Sequence, residues 1–231
     1  MAEFAISQRA PLGYGVDMIL SPGRSYIFVH IPKTGGTALA LALEARAKSD
    51  DIMLGDTPKA LKRRRRVRDV TTRGRLWKHA TLTDIEGLVP DDVLRNLFAF
   101  TLVRNPWDRI VSYYHWLRGQ SFQHTAVDLA RTLEFQDFVL HPQILTAFQH
   151  SPARSFMQHA DGVEQCNRYI RLEHFAQDAE PLFDHLGFSL ELPQVNTSER
   201  RRDYTSYYTS TTRQAVADSC AEDIARFGYD F

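Results

Sequence analysis

An α/β fold with a central, mainly parallel sheet flanked by helices is predicted by three features of this chain. Short apolar runs of strand length alternate with helix-length segments along the 231 residues. Two of those runs, 26–31 and 96–103, are almost continuously hydrophobic, as strands covered on both faces must be. Each ends in a short turn that opens directly into a helix, the order expected of a parallel crossover unit. With 43% hydrophobic residues the chain can bury one sizeable core, so 1–231 is read as a single domain. Within it, 1–24 is read as an N-terminal arm and 56–78 as a basic, mobile insertion.

The first strand, 26–31, ends in Pro32-Lys-Thr-Gly-Gly-Thr37, and an Ala/Leu-rich helix follows at 36–48. Strand, glycine turn and helix N-terminus in that order make an anion site. Glycines let successive backbone N–H groups converge, and the helix end adds partial positive charge. Gly35, Gly36 and Thr37 supply amides, Thr34 and Thr37 supply hydroxyls, and Lys33 supplies a full charge. The ligand expected here carries a phosphate or a group shaped like one. The loop is not a Walker A motif, because Lys33 precedes the two glycines instead of following them. An ordinary glycine turn with a solvated lysine is the alternative at this loop.

Residues 59–78 hold ten Lys and Arg side chains against one acid, Asp69. This run reads either as a solvated helix face or mobile segment, or as a surface for an acidic acceptor. Aromatic residues are sparse in it, so single-stranded nucleic acid fits poorly. Trp77-Lys-His-Ala-Thr-Leu82 follows, then a short turn or helix at 83–88 before Pro90.

The strand at 96–103 is followed by Arg104, then by Asn105 as N-cap, Pro106 at the first helical position and Asp108 at the third. Trp107, Ile110, Val111, Tyr114 and Leu117 form that helix's apolar stripe. Ligands of open α/β sheets bind outside the carboxyl ends of strands, which is where Arg104 stands with its fork of N–H donors. Its alternative is a structural ion pair with Asp108. Ser112 lies two turns into the helix, and helix geometry alone does not place it on a ligand. Residues 122–162 read as mainly helical with breaks at Pro142 and Pro152, 169–172 as a short strand, and 173–186 as a helix. Residues 190–208 read as irregular, and 212–227 as a closing amphipathic helix with Cys220 on its apolar stripe.

The formal net charge is zero, so no global field argues for nucleic acid or a membrane. Two cysteines are too few for a disulfide scaffold. No segment has a signal-peptide pattern or the roughly 18 apolar residues of a membrane span.

The two strand-to-helix motifs together give the chain its likeness. It resembles the sulfotransferase superfamily, specifically the carbohydrate-type branch, whose members use 3′-phosphoadenosine-5′-phosphosulfate (PAPS). Ile31-Pro-Lys-Thr-Gly-Gly-Thr37 looks like that family's 5′-phosphosulfate loop, and Arg104 through Ser112 looks like its 3′-phosphate motif. Tyr169-Ile-Arg-Leu-Glu-His174, the Asn196-x-Ser198 stretch with Arg200 to Tyr208, and Asp223-Ile-Ala-Arg-Phe-Gly-Tyr229 extend the likeness across most of the chain. The resemblance implies a P-loop-like sulfotransferase fold and in-line transfer of a sulfuryl group to an acceptor hydroxyl, by default a carbohydrate's, with no metal required. Lys33 is then the cation at the leaving bridging oxygen, and Arg104 and Ser112 hold the 3′-phosphate. The acceptor's proton needs a base, for which histidine is suited. His79, in the position where the family has a similar catalytic histidine, is the first candidate. His30 is the second, and His115 reads as a surface residue. Unlike the Golgi-resident relatives the chain shows no membrane anchor, so a cytoplasmic enzyme is expected. A P-loop-like small-molecule kinase and a non-catalytic module for anionic polysaccharide are the alternative functions. Acceptor identity and oligomeric state are open.

Overall fold

The computed structural model describes residues 18–193 and 200–231. In chain order the elements are β1 (Met18–Ser21), β2 (Tyr26–Val29), α1 (Gly36–Ala45), β3 (Ile52–Leu54), α2 (Pro58–Arg63), α3 (Asp91–Arg95) and β4 (Phe98–Val103). There follow α4 (Pro106–Arg118), α5 (Thr125–Thr132), α6 (Phe135–Leu140), α7 (Pro142–Gln149), α8 (Ala153–Phe156) and β5 (Arg168–Arg171). The last are α9 (Phe175–Asp178), α10 (Glu180–Leu186), α11 (Ser210–Ser219) and α12 (Ala221–Phe227). They group into two compact units, one holding described residues 18–103 and 153–193, the other 104–152 and 200–231.

The first unit is built on a five-stranded sheet in the order β3-β1-β2-β4-β5. The three strands expected from sequence pair in parallel, with Val29 opposite Thr101 and Thr101 opposite Tyr169. β1 and β3 add an antiparallel edge, Ile19 lying opposite Phe28 and Met53. The sheet is therefore mixed, and β1 falls inside the segment read as an arm. Alternate side chains of β2 serve opposite faces, as the two-residue period requires. Tyr26 and Phe28 join Leu39 and Leu43 of α1, Phe100 and Leu102 of β4, and Leu182 of α10. Ile27 and Val29 instead meet Leu82, Ile85, Leu94 and Met157. Each such fully buried side chain contributes about 1.5–3 kcal/mol, so covering both faces is what holds a parallel sheet together.

The basic run read as a mobile insertion forms α2 and one 3-10 turn, Arg64–Val67. Thr57 caps α2 by accepting a 3.0 Å hydrogen bond from the Ala60 amide. Lys59 donates to the Glu44 carbonyl (2.6 Å), Arg63 to that of Asp51 (3.3 Å) and Arg66 to that of Ser49. Part of the run's charge thus braces the connection between α1 and β3.

The second unit is helical. Tyr114 of α4, Phe135 and Phe138 of α6 and Val216 of α11 share its core. Asn105 caps α4 as expected, its side chain accepting from the Trp107 amide at 3.1 Å. Trp107 is a core residue, its indole N–H donating to the Arg213 carbonyl at 3.0 Å. The helix read at 212–227 is two helices broken at Cys220, whose backbone (φ −110, ψ 20) leaves the helical region. The helix read at 173–186 is likewise broken, because Pro181 restarts it within the first turn of α10.

Candidate functional site

The loop between β2 and α1 is held in a demanding backbone conformation. Gly35 has φ 87, which glycine adopts freely, but Lys33 has φ 67, which costs a side-chain-bearing residue about 1–2 kcal/mol. Non-glycine residues kept in this region cluster at functional sites, where the surroundings enforce them. Here part of the enforcement comes from Thr34, which is buried and donates its hydroxyl proton to the Ile31 carbonyl at 2.9 Å. That hydroxyl therefore braces the loop and is not the outward donor foreseen from sequence. Gly35 is also fixed by space, since a Cβ there would sit 2.8 Å from Leu172 Cδ1.

Gly36 opens α1, whose first amides have no acceptor within the helix. A Cβ at Gly36 would collide with the His30 ring, lying 2.6 Å from Nε2 and closer still to Cδ2. The buried imidazole of His30 thus occupies the place of a side chain at 36. Thr37 is partly exposed at the helix start, where its amide and hydroxyl flank the glycines.

His79 meets the same corner. Its Nδ1 lies 2.8 Å from the His30 carbonyl oxygen. A carbonyl only accepts, so Nδ1 carries the proton and Nε2 keeps the lone pair a base needs. The ring stands edge-on to His30 (centroids 4.6 Å apart) and to Trp77 (5.1 Å). Burial, then the neighbouring His30, holds the His79 pKa well below 6.5, and the charges of Lys78 and Lys33 add to that effect. His79 is accordingly neutral at pH 7.

The second cluster belongs to the helical unit. Arg104 donates to Asp108 Oδ2 through both Nε (2.9 Å) and Nη2 (2.6 Å), so the ion pair weighed as its alternative is formed. Asp108 also accepts from Arg200 Nη1 on its other oxygen, at 2.7 Å. One carboxylate therefore ties two guanidiniums and leaves the trio with one net positive charge. Ser112 is one helical turn beyond Asp108, so the two share one face of α4, while Arg104 stands just before the helix and its N-cap. His115 departs from its reading as a surface residue. It is half-buried, its Nε2 is enclosed without a hydrogen-bond partner among the described residues, and its pKa is lowered by burial and then by Arg200.

The sequence-predicted residues thus form two groups, Lys33 to Thr37 with His79 in the sheet unit, and Arg104 with Ser112 in the helical unit. Two features escaped the sequence reading, the space His30 takes over Gly36 and the bridging of Arg104 and Arg200 by Asp108. Arg200 lies in the Asn196-x-Ser198 stretch that carried part of the resemblance, but residues 194–199 lie outside the described structure.

A family model described as "Sulfotransferase family" matches residues 16–230. Among solved structures the chain is similar to mouse sulfotransferase SULT7A1 complexed with PAP. The two are 16% identical over 89% of this chain and 85% of that one, with a TM-score of 0.43. No curated protein matches the chain.

Two predictions follow from the corner that His30, Gly36 and His79 share. Gly36→Ala should cost about 1–3 kcal/mol in chemical denaturation, because the added methyl must displace the His30 ring. In a His30→Ala background the same change should be neutral or stabilising by up to about 1 kcal/mol, as alanine favours a helix over glycine. A equal loss in both backgrounds would place the strain elsewhere. Protonation of His79 gives the second. Between its depressed native pKa and 6.5 the unfolded chain binds a proton that the folded chain refuses, so stability falls as pH drops through that window and is intact above it. The acid-side loss measured by urea melts should therefore be smaller in His79→Gln than in the wild type.

Proposed function

The chain belongs to the sulfotransferase family of PAPS-dependent enzymes, and on that premise we propose that it transfers the sulfuryl group to a hydroxyl of a carbohydrate acceptor with His79 as base. The observation that carries this reading is the 32–37 loop. It combines a lysine in a left-handed conformation, two glycines and the unpaired amides at the start of α1, beside a histidine fixed in the tautomer of a base.

In this reading the amides of Gly35, Gly36 and Thr37, the amide of Thr34 and the Thr37 hydroxyl hold the 5′-phosphosulfate. As the S–O bond to the phosphate breaks, negative charge grows on the bridging oxygen. Lys33 stabilises that charge more in the transition state than in the ground state, which is the condition for accelerating transfer. His79 Nε2 accepts the proton from the acceptor hydroxyl as its oxygen bonds to sulfur. Arg104 and Ser112 hold the 3′-phosphate and so separate the donor from a simple adenylate. Asp108 keeps the Arg104 fork oriented for that contact, since a guanidinium gripped on one edge has fewer ways to present its remaining donors.

Thermal melts with 3′,5′-adenosine bisphosphate and with ATP plus Mg²⁺ test the donor assignment. The bisphosphate should raise the melting temperature well above the ATP value, and the reverse order would favour a kinase. Arg104→Ala should weaken bisphosphate binding by about 10- to 100-fold, the loss of a charged hydrogen-bond pair. Lys33→Ala and His79→Ala should lower turnover by about 100-fold or more while His79→Ala leaves bisphosphate affinity nearly unchanged. Normal turnover in His79→Ala would move the base to another residue.

A further inference from the structure

The basic run divides into two sets with different surroundings. Lys59, Arg63 and Arg66 donate to backbone carbonyls of the segment 44–51, and Arg73 pairs with Glu86 at 2.8 Å. Lys62, Arg64, Arg65 and Arg68 are exposed and have no hydrogen bond or ion pair among the described residues. Asp69, the run's one acid, makes no ion pair with them. Four cations within seven residues repel one another, and like charges a turn apart destabilise a helix. The inner set fastens the helix; the outer set does nothing for the fold that its repulsion would not undo.

Leu61 sits among them at 44% exposure. Helical spacing puts it on one face with Arg64 and Arg65, three and four residues on, and with Arg68 at seven. The buried side of the same turn is Ala60, which packs into the sheet unit's core. The outward face is therefore presented on a fastened support. From this placement we propose that the outer face of α2 and its 3-10 extension is a docking surface for an anionic phospholipid bilayer.

Charge complementarity selects an anionic partner, and Leu61 selects among the anionic partners. Headgroup phosphates lie next to the acyl boundary, so a cationic ring around one apolar side chain satisfies both layers. A soluble polyanion would engage the cations and leave Leu61 in water. Single-stranded nucleic acid would seek aromatic rings to stack on, and 59–68 contains none. One leucine and four cations give reversible attachment, weakened by salt as exposed charges are screened. This surface is separate from the residues assigned to donor and base, so its test stands apart from theirs.

The test is co-sedimentation of the full chain with vesicles of phosphatidylcholine alone or mixed with phosphatidylglycerol. Binding is expected to the mixed vesicles only and to fall as salt rises. The fourfold variant Lys62→Glu, Arg64→Glu, Arg65→Glu and Arg68→Glu should lose more than about 100-fold in vesicle affinity, each cation near an anionic surface being worth roughly a factor of five. Leu61→Ala should lose about 5-fold. Melting curves of both variants in buffer, matched to the wild type, establish that the fold is retained. Equal binding to both vesicle types, or none to either, overturns the proposal. So does full binding by the fourfold variant. Vesicle binding that ignores Leu61→Ala while heparin competes through the same four cations would make the face a polysaccharide surface and also overturn it.

Discussion

The imidazole of His30 fills the volume that a side chain at residue 36 would need, and the arrangement of the sheet unit's site descends from that exclusion. Because position 36 carries only hydrogen, the ring can lie against the start of α1. With the ring seated there, the His30 carbonyl meets Nδ1 of His79 and fixes its tautomer. The same glycine begins α1, whose first amides have no acceptor within the helix. In the proposed function one missing methyl group therefore links anion binding to proton acceptance. Parallel pairing supplies the other half of the constraint. Val29 registers with Thr101, and the Thr101 hydroxyl donates to the Val29 carbonyl at 2.7 Å, so the end of β2 is pinned beside β4, which runs on two residues to Val103.

In the helical unit the organising group is Asp108, a carboxylate between two arginines. A lone guanidinium with this little solvent would carry a desolvation cost, and two together would add repulsion. The carboxylate offsets both and still leaves the trio one net positive charge, which suits the 3′-phosphate of the proposed donor. Its position is set by ordinary helix chemistry. Asp108 lies in the first turn of α4, where a negative side chain is favoured by the exposed amides, and four residues after Arg104. The ion pair weighed as the alternative for Arg104 is formed, and in the proposed function it would also hold that arginine's orientation.

Local chemistry decided what the sequence disclosed. The 26–31 and 96–103 strands were legible because burial on both faces leaves continuous apolar runs, and α4 was legible because Asn105 and Pro106 announce its start. β1 and β3 were not. Each has four residues or fewer, and what makes them strands is pairing with one another and with β2. The breaks at Cys220 and Ala179 escaped for a related reason, since an apolar stripe passes unbroken through both. At the site, the strand-to-helix turn at 32–37 was readable because two adjacent glycines follow an apolar run and precede an Ala/Leu-rich one. The bond from the Thr34 hydroxyl to the Ile31 carbonyl was not legible, because an inward turn of a side chain leaves no mark in the sequence. Asp108 and Arg200 stand 92 residues apart, and only the fold brings them together.

As the base of the proposed transfer, His79 faces opposing demands. Burial beside His30 and the cations Lys78 and Lys33 depresses its basicity, and a weak base accepts a proton poorly. In the proposed transfer Lys33 cannot be dispensed with, because its charge would stabilise the departing oxygen. Donor binding would ease the conflict in part. A phosphosulfate on the loop brings negative charge against Lys33, and the field that Lys33 exerts on His79 is offset while the donor is present. Burial and His30 outweigh Lys33 among the causes of the depression, so this offset would restore only a minor part of the histidine's basicity. In the empty site His79 is neutral at pH 7, with its Nε2 lone pair unprotonated.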